Sequence, residues 1–258
     1  MPNKKILKKN FNNNGACLYR NFLNIKERKD ICKTLLKIFS RYLGKNFYSI
    51  NDNNLHKNLL QYRSKNPKKF GKLYDELALN SKLRSFFYKE KFISLASKIL
   101  NTSEENLFIN GFMLRLDAPN DNRNNLDWHQ DAPYYLQTSP KFDAFVAWLP
   151  MTQNTIENGS LIYLRNSHRK LLKSKFNRKS DFHSGQYNIK IPSNKEEDMF
   201  DSKLGDLSIF HMKTVHRSGK NISKKFRINF GCRVHKISKY FNVGKEKYFF
   251  NKTNKETL

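Results

Sequence analysis

The chain has 258 residues, enough for one large domain or two small ones. Hydrophobic residues make up 38% and aromatic residues 14%, including 21 Phe and 12 Tyr, which excludes a disordered chain despite the low mean hydropathy. Basic residues number 49 against 22 acidic, a net charge of +27. The lysines are scattered rather than gathered in one block, so the charge fits a solvated surface, an anionic substrate or nucleic acid.

The segment MPNKKILKKNFNNN lacks the apolar stretch of a signal peptide, and residues 1–10 read as a frayed basic tail. FNNNGACLYR (11–20) is a turn signal followed by a short extended run. Asn24 is placed to cap a helix starting near Ile25, and Ile31, Leu35, Leu36, Ile38 and Phe39 give that helix an apolar stripe. Residues 52–79 are polar and partly helical in pattern. SKLRSFFYKEKFISLASKIL (81–100) predicts an amphipathic helix with Ser81 as its cap.

The character changes after Asn101. LFINGFMLRLD (107–117), FDAFVAWLP (142–150), NGSLIYL (158–164), GDLSIFHM (205–212) and FRINFGCRVH (226–235) read as strand regions separated by turns. Residues 169–199 are charged and irregular, and predict a long loop or insertion. The last twenty or so residues are lysine-rich and poorly patterned. No linker divides the chain, so a single domain over 1–258 is expected, with a C-terminal extension over 236–258. Helices first and short strands after predict an α+β fold, a sandwich or barrel of antiparallel strands with helices on one side. Cys17, Cys32 and Cys232 form no CxxC pair and no disulfide framework, and fit a reducing compartment. No apolar run approaches the ~20 residues of a membrane span, so the expected location is the cytoplasm.

The chemistry centres on DWHQDAPYY (127–135). On extended chain, residues i and i+2 point the same way, so His129 and Asp131 can face one ion. Taken alone such a pair is a weak signal, since His-x-Asp arises by chance and more often sits in a polar turn. Two histidines and a carboxylate on one face of an octahedron leave three positions open, a ligand set favoured by non-haem iron(II) oxygenases. Among His56, His168, His183, His211, His216 and His235, context selects His216, in TVHRSGKN where the chain turns after a strand. His211 belongs to the strand body and His56 to the helical half. His183 lies in the irregular segment, and His168 and His235 suit the surface or a supporting role. In FRINFGCRVH, Ile228, Phe230, Cys232 and Val234 share one face, and Arg227, Asn229, Gly231 and Arg233 the other. The first face can pack on helices and the second can wall a polar cavity, where an arginine fork could hold a carboxylate. Equally, Arg227 could be a solvent-facing charge on an edge strand.

The order HQD (129–131), AWLPMTQNTIENGSL (147–161), RNSH (165–168) and GDLSIFHMKTVHRSGKNISKKFR (205–227) resembles the phytanoyl-CoA dioxygenase (PhyH) family of Fe(II)- and 2-oxoglutarate-dependent oxygenases. FNNNGACLYRNFLN resembles that family's opening segment, so the likeness runs over roughly residues 11–235. It implies a double-stranded β-helix, a cupin-like jelly roll, with iron on His129, Asp131 and His216. It implies that Arg227, eleven residues after His216, holds the remote carboxylate of 2-oxoglutarate, assisted by Ser218. Asn221, Trp148, Asn158 and Gly159 fall on recurrent motif positions that shape the pocket, although Asn158–Gly159 is equally a plain turn. Gln130, Tyr134 and Tyr135 could line the substrate side, and for the tyrosines core packing is an equal reading. The reaction implied is hydroxylation of a small molecule by O2, with succinate and CO2 released. Asp131 favours hydroxylation over halogenation, since related halogenases carry a small residue there, and leaves desaturation or ring chemistry open.

Two other functions stay open. R-x-N-x-x-x-R (227–233) also resembles a motif of nucleic-acid dealkylating oxygenases, which the +27 charge would suit. A non-enzymatic ligand-binding β-barrel is the other. The basic balance makes an anionic small molecule the expected substrate. The residues that recognise it are expected on the loops 118–126, 132–140 and 169–199.

Overall fold

A computed structural model describes residues 4–121, 125–135, 143–177, 186–191 and 196–237. The helices come first: α1 (Lys4–Asn14), α2 (Ile25–Leu43), α3 (Asn53–Lys65), α4 (Pro67–Leu79), α5 (Ser81–Arg84) and α6 (Glu90–Leu100). Strand β1 (Ala16–Tyr19) lies between α1 and α2. The others are β2 (Leu107–Asp117), β3 (Ala144–Pro150), β4 (Ile162–Leu164), β5 (Ser174–Asn177), β6 (Gln186–Ile189), β7 (Glu197–Met199), β8 (Leu207–His211), β9 (His216–Arg217) and β10 (Arg227–Lys236).

A five-stranded antiparallel sheet runs in the order β1-β8-β3-β10-β2. Alternation divides each strand between two cores. On the helical face, Phe145, Ala147 and Leu149 of β3, Leu207 and Ile209 of β8, and Ile228, Phe230, Cys232 and Val234 of β10 pack against the helices. On the other face, Ala144, Val146 and Phe210 meet Tyr163 of β4 and Phe200, from the side of a three-stranded sheet ordered β7-β4-β9. Two facing antiparallel sheets with helices on one outer face form the expected α+β jelly roll.

Local chemistry explains the helices. Asn24 accepts a hydrogen bond from the Glu27 N–H while the Glu27 carboxylate accepts from the Asn24 N–H, a reciprocal capping box. Helix α2 ends at Gly44, in the left-handed region at φ 65°. The segment 81–100 is not one helix. Asn80, not Ser81, caps α5, accepting from the Leu83 N–H. A 3₁₀ turn over Ser85–Tyr88 then interrupts the helical run, and the adjacent Phe86 and Phe87 are both buried there.

Two expectations are corrected. Residues 4–14 form helix α1 rather than a frayed tail, because Leu7 and Phe11 lie one turn apart and both are buried. Phe11 packs edge-on against Phe145, with ring centroids 6.2 Å apart. Burying two such side chains contributes on the order of 3–6 kcal/mol, enough to dock a lysine- and asparagine-rich helix. The segment 169–199 is not a plain loop, since β5 and β6 form a hairpin and β7 pairs with β4. β5 and β7 are partly exposed, and none of the three strands carries an apolar alternation to announce it. His183 and residues 238–258 lie outside the described residues.

Glu27 also ties α2 to the start of α6 through Lys89 and Lys91. Burial works to raise its pKa, but Lys91, Lys89 and the Asn24 amide more than offset this and hold the carboxyl below its ordinary value of 4.5. Its contribution is therefore present above pH 4.5 and fades as pH falls through the lowered value. Glu27→Ala should cost about 2 kcal/mol in urea denaturation at pH 7. The gap from the wild type should narrow as pH falls below 4.5.

Candidate active site

His129 and His216 face each other across an isolated antiparallel bridge. The His129 N–H donates to the His216 carbonyl at 2.9 Å, and the His216 N–H donates to the His129 carbonyl at 3.0 Å. The rings are 4.2 Å apart between centroids. Each Nδ1 points at a carbonyl of its own segment, His129 at Asp127 O (2.6 Å) and His216 at Thr214 O (2.9 Å). A carbonyl has no proton to give, so each Nδ1 is the donor and each Nε2 presents its lone pair. Both Nε2 atoms face one oxygen of Asp131, Oδ1, at 3.6 Å from His129 and 3.7 Å from His216. The three ligand atoms lie within 4.8 Å of one another, and all three residues are buried.

The electrostatics suit a cation. Burial pushes the His216 pKa down to about 3, helped by neighbouring His129, so its imidazole is neutral at pH 7. Burial would raise the Asp131 pKa, but the Arg233 guanidinium and the two imidazoles outweigh it and hold the carboxyl well below the usual range. Two imidazole nitrogens and one carboxylate oxygen, each steered from behind by a hydrogen bond, fit a divalent transition metal.

The triad opens on a cavity of about 410 Å³, within the range of small-molecule sites. Arg227 and Asn229 of β10, Trp148 of β3, Arg115 of β2, Ser218 and Phe210 are among its lining residues. Arg227 is not on an edge: β10 lies between β3 and β2, and the side chain is buried. Its Nε (3.1 Å) and Nη2 (2.5 Å) both donate to Asp117 Oδ2. Arg115 approaches the same carboxylate through Nε at 3.3 Å and donates from Nη2 to Ser218 Oγ at 3.4 Å. Burial raises the Asp117 pKa, and Arg115 and Arg227 outweigh it, so the carboxyl stays ionised. Gly231 makes room for Trp148, since a Cβ there would stand 2.6 Å from the indole.

Other expected pocket residues lie elsewhere. The Gln130 amide donates to the carbonyls of Lys170 and Lys213 and accepts from the Leu172 N–H, bracing the turn that carries the triad. Asn221 donates to the carbonyls of Asp117 and Lys225, and Asn158 accepts from the Thr155 N–H. These two asparagines bridge each other, where Gly159, at φ 79°, packs against Gly219–Asn221 too closely for any Cβ. They hold the turn behind His216 and do not line the cavity. Tyr134 stacks edge-on against Tyr187 of the β5–β6 hairpin and accepts from its N–H, outside the described cavity lining. The side chain of Tyr135 lies outside the described residues. His235 is buried against Asn110 rather than on the surface. His56 is a core residue that accepts from the Phe226 N–H and so fixes the entry to β10.

The sequence matches the family model of phytanoyl-CoA dioxygenase (PhyH) over residues 11–229. The chain belongs to this family. PhyH proteins are iron(II)- and 2-oxoglutarate-dependent oxygenases, and this chain is an enzyme of that class. No curated protein sequence matches it significantly. Similar solved structures include EvdO2 from Micromonospora carbonacea var. aurantiaca complexed with 2-oxoglutarate, at 17% identity and TM-score 0.60 over 89% of each chain. The epimerase SnoN in complex with Fe3+, alpha ketoglutarate and nogalamycin RO aligns at 14% identity and TM-score 0.60, over 90% of this chain and 83% of its own. The non-heme monooxygenase ThoJ aligns at 20% and 0.59, over 89% and 77%. Among the described residues, no helix is long and apolar enough to cross a membrane.

The Asp117–Arg227 pair is almost fully buried, so removing one partner strands the other charge. Asp117→Ala should lower the unfolding free energy by about 3–5 kcal/mol in urea titrations. A loss under ~0.5 kcal/mol would mean that the pair carries no such strain.

Proposed function

We propose that the protein hydroxylates a small organic anion, using the triad of His129, Asp131 and His216 to hold iron(II). The observation that carries this reading is the convergence of both Nε2 atoms on one oxygen of Asp131, at the edge of a cavity lined by Arg227. Iron(II) with 2-oxoglutarate and O2 supplies the oxidant for an unactivated C–H bond, releasing succinate and CO2. The protein's part is to bind, orient and shield.

Arg227 receives the remote carboxylate of 2-oxoglutarate on the edge of its guanidinium that Asp117 leaves open. Asp117 fixes the plane of that fork, so little order is lost on binding. Ser218 Oγ, held by the Leu126 N–H at 3.1 Å, lies beside it as a hydroxyl partner. Arg115 adds a second positive group at this end. Trp148, Phe210, Leu161 and Phe200 supply apolar walls that exclude water and strengthen each charged contact.

The substrate's charge follows from the cavity's own. Arg115, Arg227 and Arg233 stand against Asp131 on the lining and Asp117 behind it, leaving one positive charge in excess. A divalent ion and the 2-oxoglutarate dianion cancel each other, so the excess persists and favours an anionic substrate. Among the described lining residues there is no lysine, so the lysine-rich surface is not what forms the cavity wall. A small acid therefore suits the site better than a nucleic acid.

Iron-dependent formation of succinate from 2-oxoglutarate tests the activity, with a panel of small carboxylic and phosphorylated acids screened for stimulation. His129→Ala and His216→Ala should abolish it. Arg227→Ala should raise the 2-oxoglutarate requirement about ten- to a hundredfold, the loss of a charge-assisted pair. Full activity in His216→Ala would show that the distal ligand is a different residue. No iron-dependent succinate with any substrate would leave the ligand-binding barrel as the better reading.

A further inference from the structure

Arg233 is not part of the ligand set or of the 2-oxoglutarate contacts described above, yet it reaches the triad. It lies on the cavity face of β10, six residues beyond Arg227, and its Nη2 donates to Asp131 Oδ2 at 3.2 Å. Its Nη1 donates to the Gly111 carbonyl at 3.4 Å. The two oxygens of Asp131 thus have different neighbours: Oδ1 faces both histidine Nε2 atoms and Oδ2 faces the guanidinium.

The backbone is built for this contact. The β10–β2 register shifts between Gly231 and Arg233, where one residue of β10, Cys232, stands opposite two of β2, Gly111 and Phe112. Of these two, Gly111 lies at φ 55°, a conformation that glycine adopts without penalty. The bulge brings the Gly111 carbonyl to one tine of the Arg233 fork while the other tine takes the carboxylate. The Arg233 side chain is 14% exposed and that of Asp131 9%, so water competes weakly for either group.

We propose that Arg233 is a positioning residue that makes Asp131 a one-oxygen ligand. By holding Oδ2 away from the metal position, it keeps vacant the place that a two-oxygen carboxylate would fill and that 2-oxoglutarate needs for chelation. This rests on the triad being the metal site. The alternative role, tighter metal binding, runs against the electrostatics, because a guanidinium near a divalent cation repels it. Loss of Arg233 should therefore spare metal binding and damage cosubstrate binding, a split that general loss of structure would not give.

The test uses the full chain loaded with Co(II), with 2-oxoglutarate affinity read by calorimetry and cobalt geometry by visible absorption. Arg233→Ala should bind Co(II) at least as tightly as the wild type, show altered cobalt bands, and bind 2-oxoglutarate about tenfold or more weakly. Arg233→Lys restores the charge but not the fork, and should fall between the two. Wild-type bands and wild-type 2-oxoglutarate affinity in Arg233→Ala would overturn the proposal. If that variant does not fold, Arg233→Lys decides, and wild-type values there overturn it equally. A wild-type protein that binds no Co(II) would overturn the triad reading itself, which is a separate outcome from a cobalt-binding protein indifferent to Arg233.

Discussion

On strand β10 a single backbone serves the core and the site, and the period-two alternation of a β-strand lets it do both. Ile228, Phe230, Cys232 and Val234 are buried against the helices, while Arg227, Asn229 and Arg233 line the cavity. A slip of one residue would exchange the two sets, putting guanidinium groups into the apolar layer. Pairing with β3 on one side and β2 on the other fixes the register. His56 anchors the strand's entry through the Phe226 N–H, so the helical half also determines where Arg227 stands.

The second constraint is that charges this deep must be answered. Asp117 sits between Arg115 and Arg227, and Asp131 between Arg233 and the two imidazoles. Each buried carboxylate has a cation at hydrogen-bonding range, which is the condition for keeping it ionised in the interior. The histidines are fixed by their own backbone, through the reciprocal bridge and the Nδ1 contacts to Asp127 and Thr214. The site is thus formed by the protein's own contacts and needs little rearrangement to accept a cation.

Much of this was legible in the sequence where the signal was local or periodic. The Asn24 cap, the stripe of α2 and the apolar strands β2, β3, β8 and β10 follow from spacing alone. So do the shared face of His129 and Asp131 and the two faces of β10. Helix α1 was hidden because lysine and asparagine dominate its composition and only Leu7 and Phe11 mark its buried side. Strands β5 to β7 were hidden because their short sequences carry no apolar alternation. Gln130, Asn158 and Asn221 sit at motif positions, but which polar side chains are consumed by nearby backbone groups is a tertiary fact. Arg115 and Asp117 were missed although their i, i+2 spacing in LRLD marks a polar face on an otherwise apolar strand.

The proposed function requires one cation and one dicarboxylate in this cavity, in a defined order along it. Anomalous diffraction from crystals soaked with Co(II) and 2-oxoglutarate without oxygen tests it most directly. The predicted result is one cobalt peak between His129 Nε2, Asp131 Oδ1 and His216 Nε2, with the remote carboxylate of 2-oxoglutarate against Arg227. A cobalt peak elsewhere, or 2-oxoglutarate bound away from Arg227, would contradict the account.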